Sequence, residues 1–315
     1  AGNPITFTAS SGTLTCGSTS GAGTVHLRST IAAPDYIKTT SIPLYDLPYD
    51  WTGTYYYPLS EPAATNLFLN SRAAATQNFS VTAQAYTLSF IGTGTITLSG
   101  ASTAGPLVGT GANNRVSLTF TPSAGTLTLT VSGTMDLVQL ETGTVATSPI
   151  ITAGATVTRA ADNMSIATSA FPFNASEGTL YAKADVVGFN NVSANVAIAL
   201  NDGTSNERVI IRLQQPTAST QFVVTDGGVT QAAIVMPGFA ANTVYKTALG
   251  FMLNSVQGAR DGTLGTEDTA ATMPTVNTLN LGREIIGSSY LNGHIREIMC
   301  LPRRMTNAEL QALTA

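Results

Sequence analysis

The stretch Asp136–Asp162, DLVQLETGTVATSPIITAGATVTRAAD, decides how this chain divides. Met135, Leu137, Val138 and Leu140 form a mostly apolar run suited to a strand inside a sheet. Gly143, Pro149 and Gly154 then follow, and none of them extends a regular ladder. The stretch reads as a closing strand followed by a hinge. A boundary between two β-rich domains is therefore expected near residue 150.

Composition supports two domains of one class. A chain of 315 residues is long enough for two units that each bury a core. Charged residues make up only 10%, hydrophobic residues 43%, and 29 glycines accompany a large share of Thr and Ser. Such a composition is all-β, because β-branched and hydroxyl side chains suit half-solvated sheets and glycine supplies tight turns. A net charge of -4 argues against nucleic acid, which needs clustered Lys and Arg. The local pair Arg303-Arg304 reads as a solvated turn before a helix. No run of about 18 apolar residues is present, so no helical membrane insertion is expected. The start, Ala1-Gly2-Asn3, reads equally as a chain that lost its initiator Met or as a cleaved product. Cys16 and Cys300 lie at opposite ends in no metal or redox spacing, and two free thiols are expected, consistent with assembly inside a reducing cell.

Outward from the hinge, residues 66–147 show short strands at even spacing: FSVTAQAYTLSFIG, TGTITLSGA, RVSLTFTPSAG, TLTLTVSG and MDLVQLET. Leu127, Leu129 and Val131 alternate with Thr, which buries one face and wets the other as in an antiparallel sandwich or jelly roll. Residues 158–305 repeat the theme in GTLYAKADVVG, NVAIALND, ERVIIRLQ, QFVVTDGG, YKTALGFMLNS and LNGHIREIMCL, with hairpin signals at Asp202-Gly203 and Asp226-Gly227-Gly228. Thr306 and Glu309 form a capping box for a short C-terminal helix over about 307–313. At the other end, residues 1–60 read as strands at 5–8 and 24–27 around a loop at 16–23, then an arm with Tyr45, Tyr49, Trp51, Tyr55, Tyr56 and Tyr57. Pro43, Pro48 and Pro58 exclude a helix or central strand there.

The hinge also carries a family likeness. Gln139, Glu141, Gly143, Val145, Ala146, Thr147 and Ser148, continuing to Val157, Thr158, Arg159, Ala160, Ala161 and Asp162, resemble the joint in a group of tailed-bacteriophage virion proteins. In that group a carbohydrate-binding-module-like β-sandwich precedes a concanavalin-like, or laminin-G-like, jelly roll. EPAATNLFLNS at 61–71 and YLNGHIREIMCLPRRMTNAELQALTA at 290–315 agree with it, so the likeness covers roughly 61–315. Pro149 stands where the joint usually continues with an aromatic. The resemblance implies two tandem antiparallel β-sandwiches, a carbohydrate-binding-module-like one at 61–150 and a laminin-G-like jelly roll at 158–315, behind an N-terminal segment and arm at 1–60. It further implies a virion protein made in the bacterial host cytoplasm, whose partners are other virion subunits and host-surface polysaccharide. Fibre and spike proteins resembling this one are commonly threefold, which makes a homotrimer the expectation.

Few residues suggest chemistry. The aromatic arm reads either as a subunit contact or as a platform for stacking sugar rings. Asn254, Arg260 and Asp261, in LNSVQGARDGTLG, lie on rim loops and are the glycan-contact candidates; ordinary hairpin chemistry is the other reading. Asp202, Asp226 and Asp268 are the available calcium ligands, since related jelly rolls sometimes carry that ion, but no cluster of carboxylates is visible and no cofactor is expected. His294 reads as a structural residue bonded across a sheet, and with only His26 as company it builds no metal site or catalytic triad. Glu267-Asp268 is adjacent rather than alternating, so a strand would point the two acids to opposite faces, unlike the paired acids of glycan hydrolases. The expected function is a non-enzymatic virion surface protein, a tail fibre, spike or head fibre that binds host glycan. A purely structural capsid or tail decoration is the alternative, and a depolymerase fits least.

Overall fold

The computed structural model describes residues 59–188, 194–214, 218–285 and 289–315, with the backbone of two further strands, Thr6–Ser10 and Thr13–Gly17. The arm bearing Tyr45, Tyr49, Trp51, Tyr55, Tyr56 and Tyr57 lies outside the described residues, as does the strand expected at 24–27. The described chain is all-β with one short C-terminal helix, as its composition indicates. It forms two compact units, and one interrupts the other: residues 63–161 make the first, residues 1–62 with 162–315 the second.

The interrupting unit is a sandwich. Its four-stranded antiparallel sheet runs in the order Gln77–Val81, Gly125–Ser132, Thr95–Gly100, Leu107–Val108, and its three-stranded sheet in the order Met135–Thr142, Tyr86–Gly92, Gly111–Phe120. Leu127 and Leu129 point inward and are fully buried beside Phe68, Leu88, Phe90 and Leu140, while Thr128 turns outward to donate to Asn78 Oδ1 at 2.8 Å. The strand Met135–Thr142 is less regular than its apolar pattern suggests. A register shift falls between Asp136 and Gln139, and Leu137 takes a left-handed φ of 52°.

Irregular chain closes this sandwich, so its buried backbone groups need side-chain partners. Asn66, fully buried, supplies four: Nδ2 donates to Val138 O (3.0 Å) and Ile150 O (2.8 Å), and Oδ1 accepts from Phe68 N (3.0 Å) and Leu140 N (3.1 Å). The Glu141 carboxylate accepts from Thr147 N, from Thr147 Oγ1 at 2.7 Å and from Gln139 Nε2, and Gln139 Oε1 accepts from Ile150 N at 2.7 Å. Burial raises the Glu141 carboxyl above its usual range, against the lowering effect of Thr147, Arg115 and Gln139. Ser71 and Thr152 exchange two further bonds, Ser71 N to Thr152 Oγ1 at 3.0 Å and Thr152 N to Ser71 Oγ at 2.9 Å. Val157–Arg159 then pairs with Ala64–Asn66. The unit therefore ends at Ala161 and not near 150, because the chain after Pro149 spends its hydrogen bonds on the sandwich it has just left.

The second unit is a larger sandwich. Its eight-stranded sheet has the order Thr6–Ser10, Thr13–Gly17, Asn163–Ala167, Thr278–Leu281, Asn195–Asn201, Arg208–Gln214, Ser219–Asp226, Val229–Pro237. The strand Thr13–Gly17 runs into the stretch read as a loop from Cys16 and pairs in parallel with Asn163–Ala167. The six-stranded antiparallel sheet has the order Thr263–Leu264, Ser255–Arg260, Tyr245–Met252, Glu177–Ala184, Gly293–Leu301, Leu59–Ser60. Leu180, Ile198, Leu200, Phe222, Leu249 and Ile295 fill the space between the sheets. Gly258 is required under Phe222, whose ring a Cβ would meet at 2.3 Å.

The last strand, Leu59–Ser60, comes from before the insertion. It pairs with Gly293 and His294, and Ser60 Oγ donates to Gly282 O at 2.8 Å. Glu61 N donates to Asp162 Oδ2 (2.9 Å) and Asp162 N to Glu61 O (3.0 Å), so the two ends of the interrupted unit lie side by side. The order is thus an insertion, and the jelly roll expected at 158–315 is completed by chain from before residue 61. The helix Asn307–Thr314, capped by the Thr306–Glu309 box, lays Leu310 on Tyr181, Ala248 and Ala259 on the outer side of the six-stranded sheet. Cys300 is a free thiol pushed up to about 12 by burial; the Cys16 side chain lies outside the described residues.

Two measurements check this architecture. Replacing residues 63–161 by Gly-Gly should leave a chain with β-type circular dichroism and one cooperative melt, more stable than a 158–315 fragment that lacks Leu59–Ser60. An unfolded deletion chain, or a fragment of equal stability, would count against the insertion. Asn66→Ala leaves several buried backbone groups unpaired and should cost roughly 3 kcal/mol in urea unfolding of the 63–161 sandwich. A loss under about 1 kcal/mol, the size of one ordinary net hydrogen bond, would show that water replaces the amide.

Candidate ligand-binding face

The rim residues singled out from the sequence do not form one site. Asn254, with φ 56°, turns the hairpin between Tyr245–Met252 and Ser255–Arg260, whereas Asp261, with φ 47°, begins the turn at the far end of the latter strand. A strand of that length holds them about 20 Å apart at about 3.3 Å per residue. Hairpin geometry accounts for both positions, since Asn and Asp tolerate the left-handed backbone that such turns require. Asp261 exchanges bonds with Lys246, its Oδ1 accepting from Lys246 N at 2.9 Å. Arg260 is committed to packing. Its guanidinium donates to Thr220 Oγ1 (3.0 Å), Met236 O (3.2 Å) and Pro237 O (2.7 Å) on the opposite sheet and lies 5.3 Å over the Tyr245 ring.

The acidic candidates are likewise in structural use. Asp202 Oδ1 accepts from Thr204 N and Oγ1 at 2.8 and 2.7 Å, Asp226 accepts from Thr272 Oγ1, and Asp268 Oδ1 accepts from Ala270 N at 3.0 Å. Among the described residues no group of three His, Cys, Asp or Glu is placed to hold a metal. Glu267 anchors the helix start by accepting from Ser255 Oγ (2.6 Å), Arg304 Nη2 (2.9 Å) and Asn307 Nδ2 (2.9 Å), and these bonds, Ser255 first, lower its carboxyl. His294 is bonded across the sheet as expected: Nδ1 lies 2.8 Å from Asp185 Oδ1, and Arg296 Nη2 donates to Asp185 Oδ2 at 3.1 Å.

A different surface gathers polar chemistry: the outer face of the eight-stranded sheet. In Arg208–Gln214 the residues alternate, with Val209, Ile211 and Leu213 in the core and Arg208, Ile210, Arg212 and Gln214 on the other side. Arg208 and Arg212 therefore share a face about 13 Å apart. Arg208 Nε donates to Thr225 Oγ1 (3.1 Å) and its Nη1 pairs with Glu284. Glu284 belongs to a loop folded back over the sheet, held where its carbonyl accepts from Asn201 Nδ2. Beside it, buried Arg283 donates through Nη2 to Asn280 Oδ1 (3.0 Å) and bonds the Tyr290 hydroxyl. Arg212 donates from Nε (3.0 Å) and Nη2 (2.8 Å) to Gln221 Oε1. Burial, then the neighbouring Arg208, lower the Arg212 guanidinium below its usual value, while Glu284 raises it. Among the described residues, three guanidiniums share this face with one carboxylate, Glu284, which pairs with Arg208. Its floor is apolar, Val196, Ala199, Ile210 and Val223, and its edge strand presents exposed Ala233 and Val235. One signal in the sequence points here: two Arg four apart in an alternating strand, in a chain with only 14 Lys and Arg.

Arg260→Ala should lower stability by about 2 kcal/mol, since it removes a charged donor from two carbonyls and a cation–π contact. A denaturation midpoint unchanged to within about 0.5 kcal/mol, the range of an inert surface change, would sink that assignment.

No family model and no curated protein matches the sequence. Among solved structures, the chain is similar to the Ruminococcus gnavus IT-sialidase CBM40 bound to α2,6 sialyllactose, with 12% identity and a TM-score of 0.39 over 45% of this chain and 85% of that one. It is similar also to a SAP-like pentraxin from Limulus polyphemus (10% identity, TM-score 0.35, 44% and 70% covered). A third is the botulinum neurotoxin serotype D binding domain (10%, 0.36, 44% and 37%). Likeness of this order says nothing of ligand or activity.

Proposed function

We propose that this chain is a non-enzymatic bacteriophage virion surface protein that binds host-surface glycan through the outer face of its eight-stranded sheet. The observation that carries the binding half is Arg208, Arg212 and Gln221 held in fixed directions beside exposed Ala233 and Val235 on one sheet face. Guanidinium and amide groups in set directions suit sugar hydroxyls and acids, and small aliphatic side chains suit the C–H face of a pyranose. Each net hydrogen bond contributes only about 0.5–1.5 kcal/mol, so one site reaches roughly millimolar affinity, and several copies on one particle supply useful adhesion. The virion half rests on the sequence likeness at 61–71, 139–162 and 290–315, and a homotrimer is the assembly it favours. Absence of catalysis is supported by the engagement of Glu267 with Arg304 and Asn307 and of Asp268 with Ala270.

The test is incubation of the full chain with host cells and their extracted surface polysaccharide, with mass measurement of the protein in solution. Binding by an oligomer, with polysaccharide chain length unchanged, is the expected result. Shortened chains would make the protein a depolymerase, and no binding to any host polysaccharide would favour a purely structural decoration.

A further inference from the structure

Resting on that reading, we infer that Arg212, held by Gln221, is the anchor for a sugar carboxylate, so that the glycan bound is acidic. A guanidinium carries five N–H donors in a fixed plane. Gln221 Oε1 takes the Nε hydrogen and one Nη2 hydrogen, at 3.0 and 2.8 Å. What is left is the end-on edge of the fork, two Nη1 hydrogens and one on Nη2, which is the edge that grips a carboxylate through two parallel bonds. Gln221 is itself steadied by donating from Nε2 to Ser219 Oγ at 3.3 Å, so the fork is oriented before any ligand arrives.

The charge around Arg212 favours an anion. Among the described residues Arg212 has no carboxylate partner, and the nearest acid on this face, Glu284, is already paired with Arg208. The outward residues that flank Arg212 in register, Val196 on one side and Gln221 then Val235 on the other, are uncharged. Among the described residues of this face, Arg208, Arg212 and Arg283 with Glu284 leave positive charge in excess, in a chain whose net charge is -4. A half-buried cation without a counter-ion is costly, and a bound carboxylate relieves that cost. Exposed Ala233 and Val235, beside Val223 and Gln221 on the next strand, offer the sugar ring an apolar shelf.

The experiment uses the full chain with immobilised polygalacturonate and polysialic acid, which separate a uronate from a 2-keto-acid sugar as source, and the same polymers with their carboxylates reduced to alcohols. Native host cells serve as the reference. Binding to at least one acidic polymer is expected, falling roughly tenfold or more on carboxyl reduction and equally in Arg212→Ala, as befits a charge-assisted pair of bonds. Arg212→Lys, which keeps the charge and loses the fork, should fall between. Arg72→Ala removes an exposed charge from the 63–161 unit and should bind as the unaltered chain does. Melting curves of each variant separate misfolding from lost contact. Host-cell binding that persists with neither acidic polymer bound, that survives carboxyl reduction or Arg212→Ala, or that is matched by a phosphate-bearing polymer without carboxylates would overturn the inference and leave glycan binding standing. No binding to cells or to any polymer would overturn both.

Discussion

The constraint on which the inserted sandwich depends is the satisfaction of buried backbone by Asn66. The chain enters at 66–71 and leaves at 144–152 without a regular ladder, and each buried N–H or C=O left unpaired there would cost about 1–3 kcal/mol. A single amide placed between Val138, Leu140, Ile150 and Phe68 meets four of those needs at once. Gln139, Glu141 and Thr147 repeat the device on the exit side. Together they form a polar lock inside one sandwich.

The lock explains why the boundary sits where it does. Proline and glycine end strands, yet they do not release a chain from the domain it has been building. Residues 151–159 remain tied through Ser71 and the Ala64–Asn66 strand, and the second unit resumes at Asp162, where Glu61 is waiting with a hydrogen bond in each direction. The insertion joint demands close approach as well. Gly282, with φ 68°, passes Ser60 so tightly that a Cβ would lie 2.3 Å from it. The chemistry-bearing face lies on the outer side of a sheet whose inner side is ordinary core.

Much of the fold was legible in the chain. Alternation in TLTLTV and RVIIRLQ places Leu127, Leu129, Val209 and Ile211 inside because a strand has period two and only one face meets the other sheet. The capping box at Thr306 fixed the helix start by local chemistry alone. Short strands escaped: Asn163–Ala167 and Thr278–Leu281 are polar on one face and brief. Their identity comes from partners distant in sequence.

The candidate site divides along the same line. The sequence by itself determined that Arg208 and Arg212 share one face and that Asn254 and Asp261 occupy turns, since each follows from backbone period or local turn chemistry. Only the tertiary structure decided that Arg260 spans the two sheets to Met236 and Pro237, that Glu284 pairs with Arg208, and that Gln221 takes one edge of the Arg212 fork. Those choices depend on register between strands and on a loop folded back over the sheet. Pairing in space is set by the packing of the whole core, which no local stretch of sequence encodes.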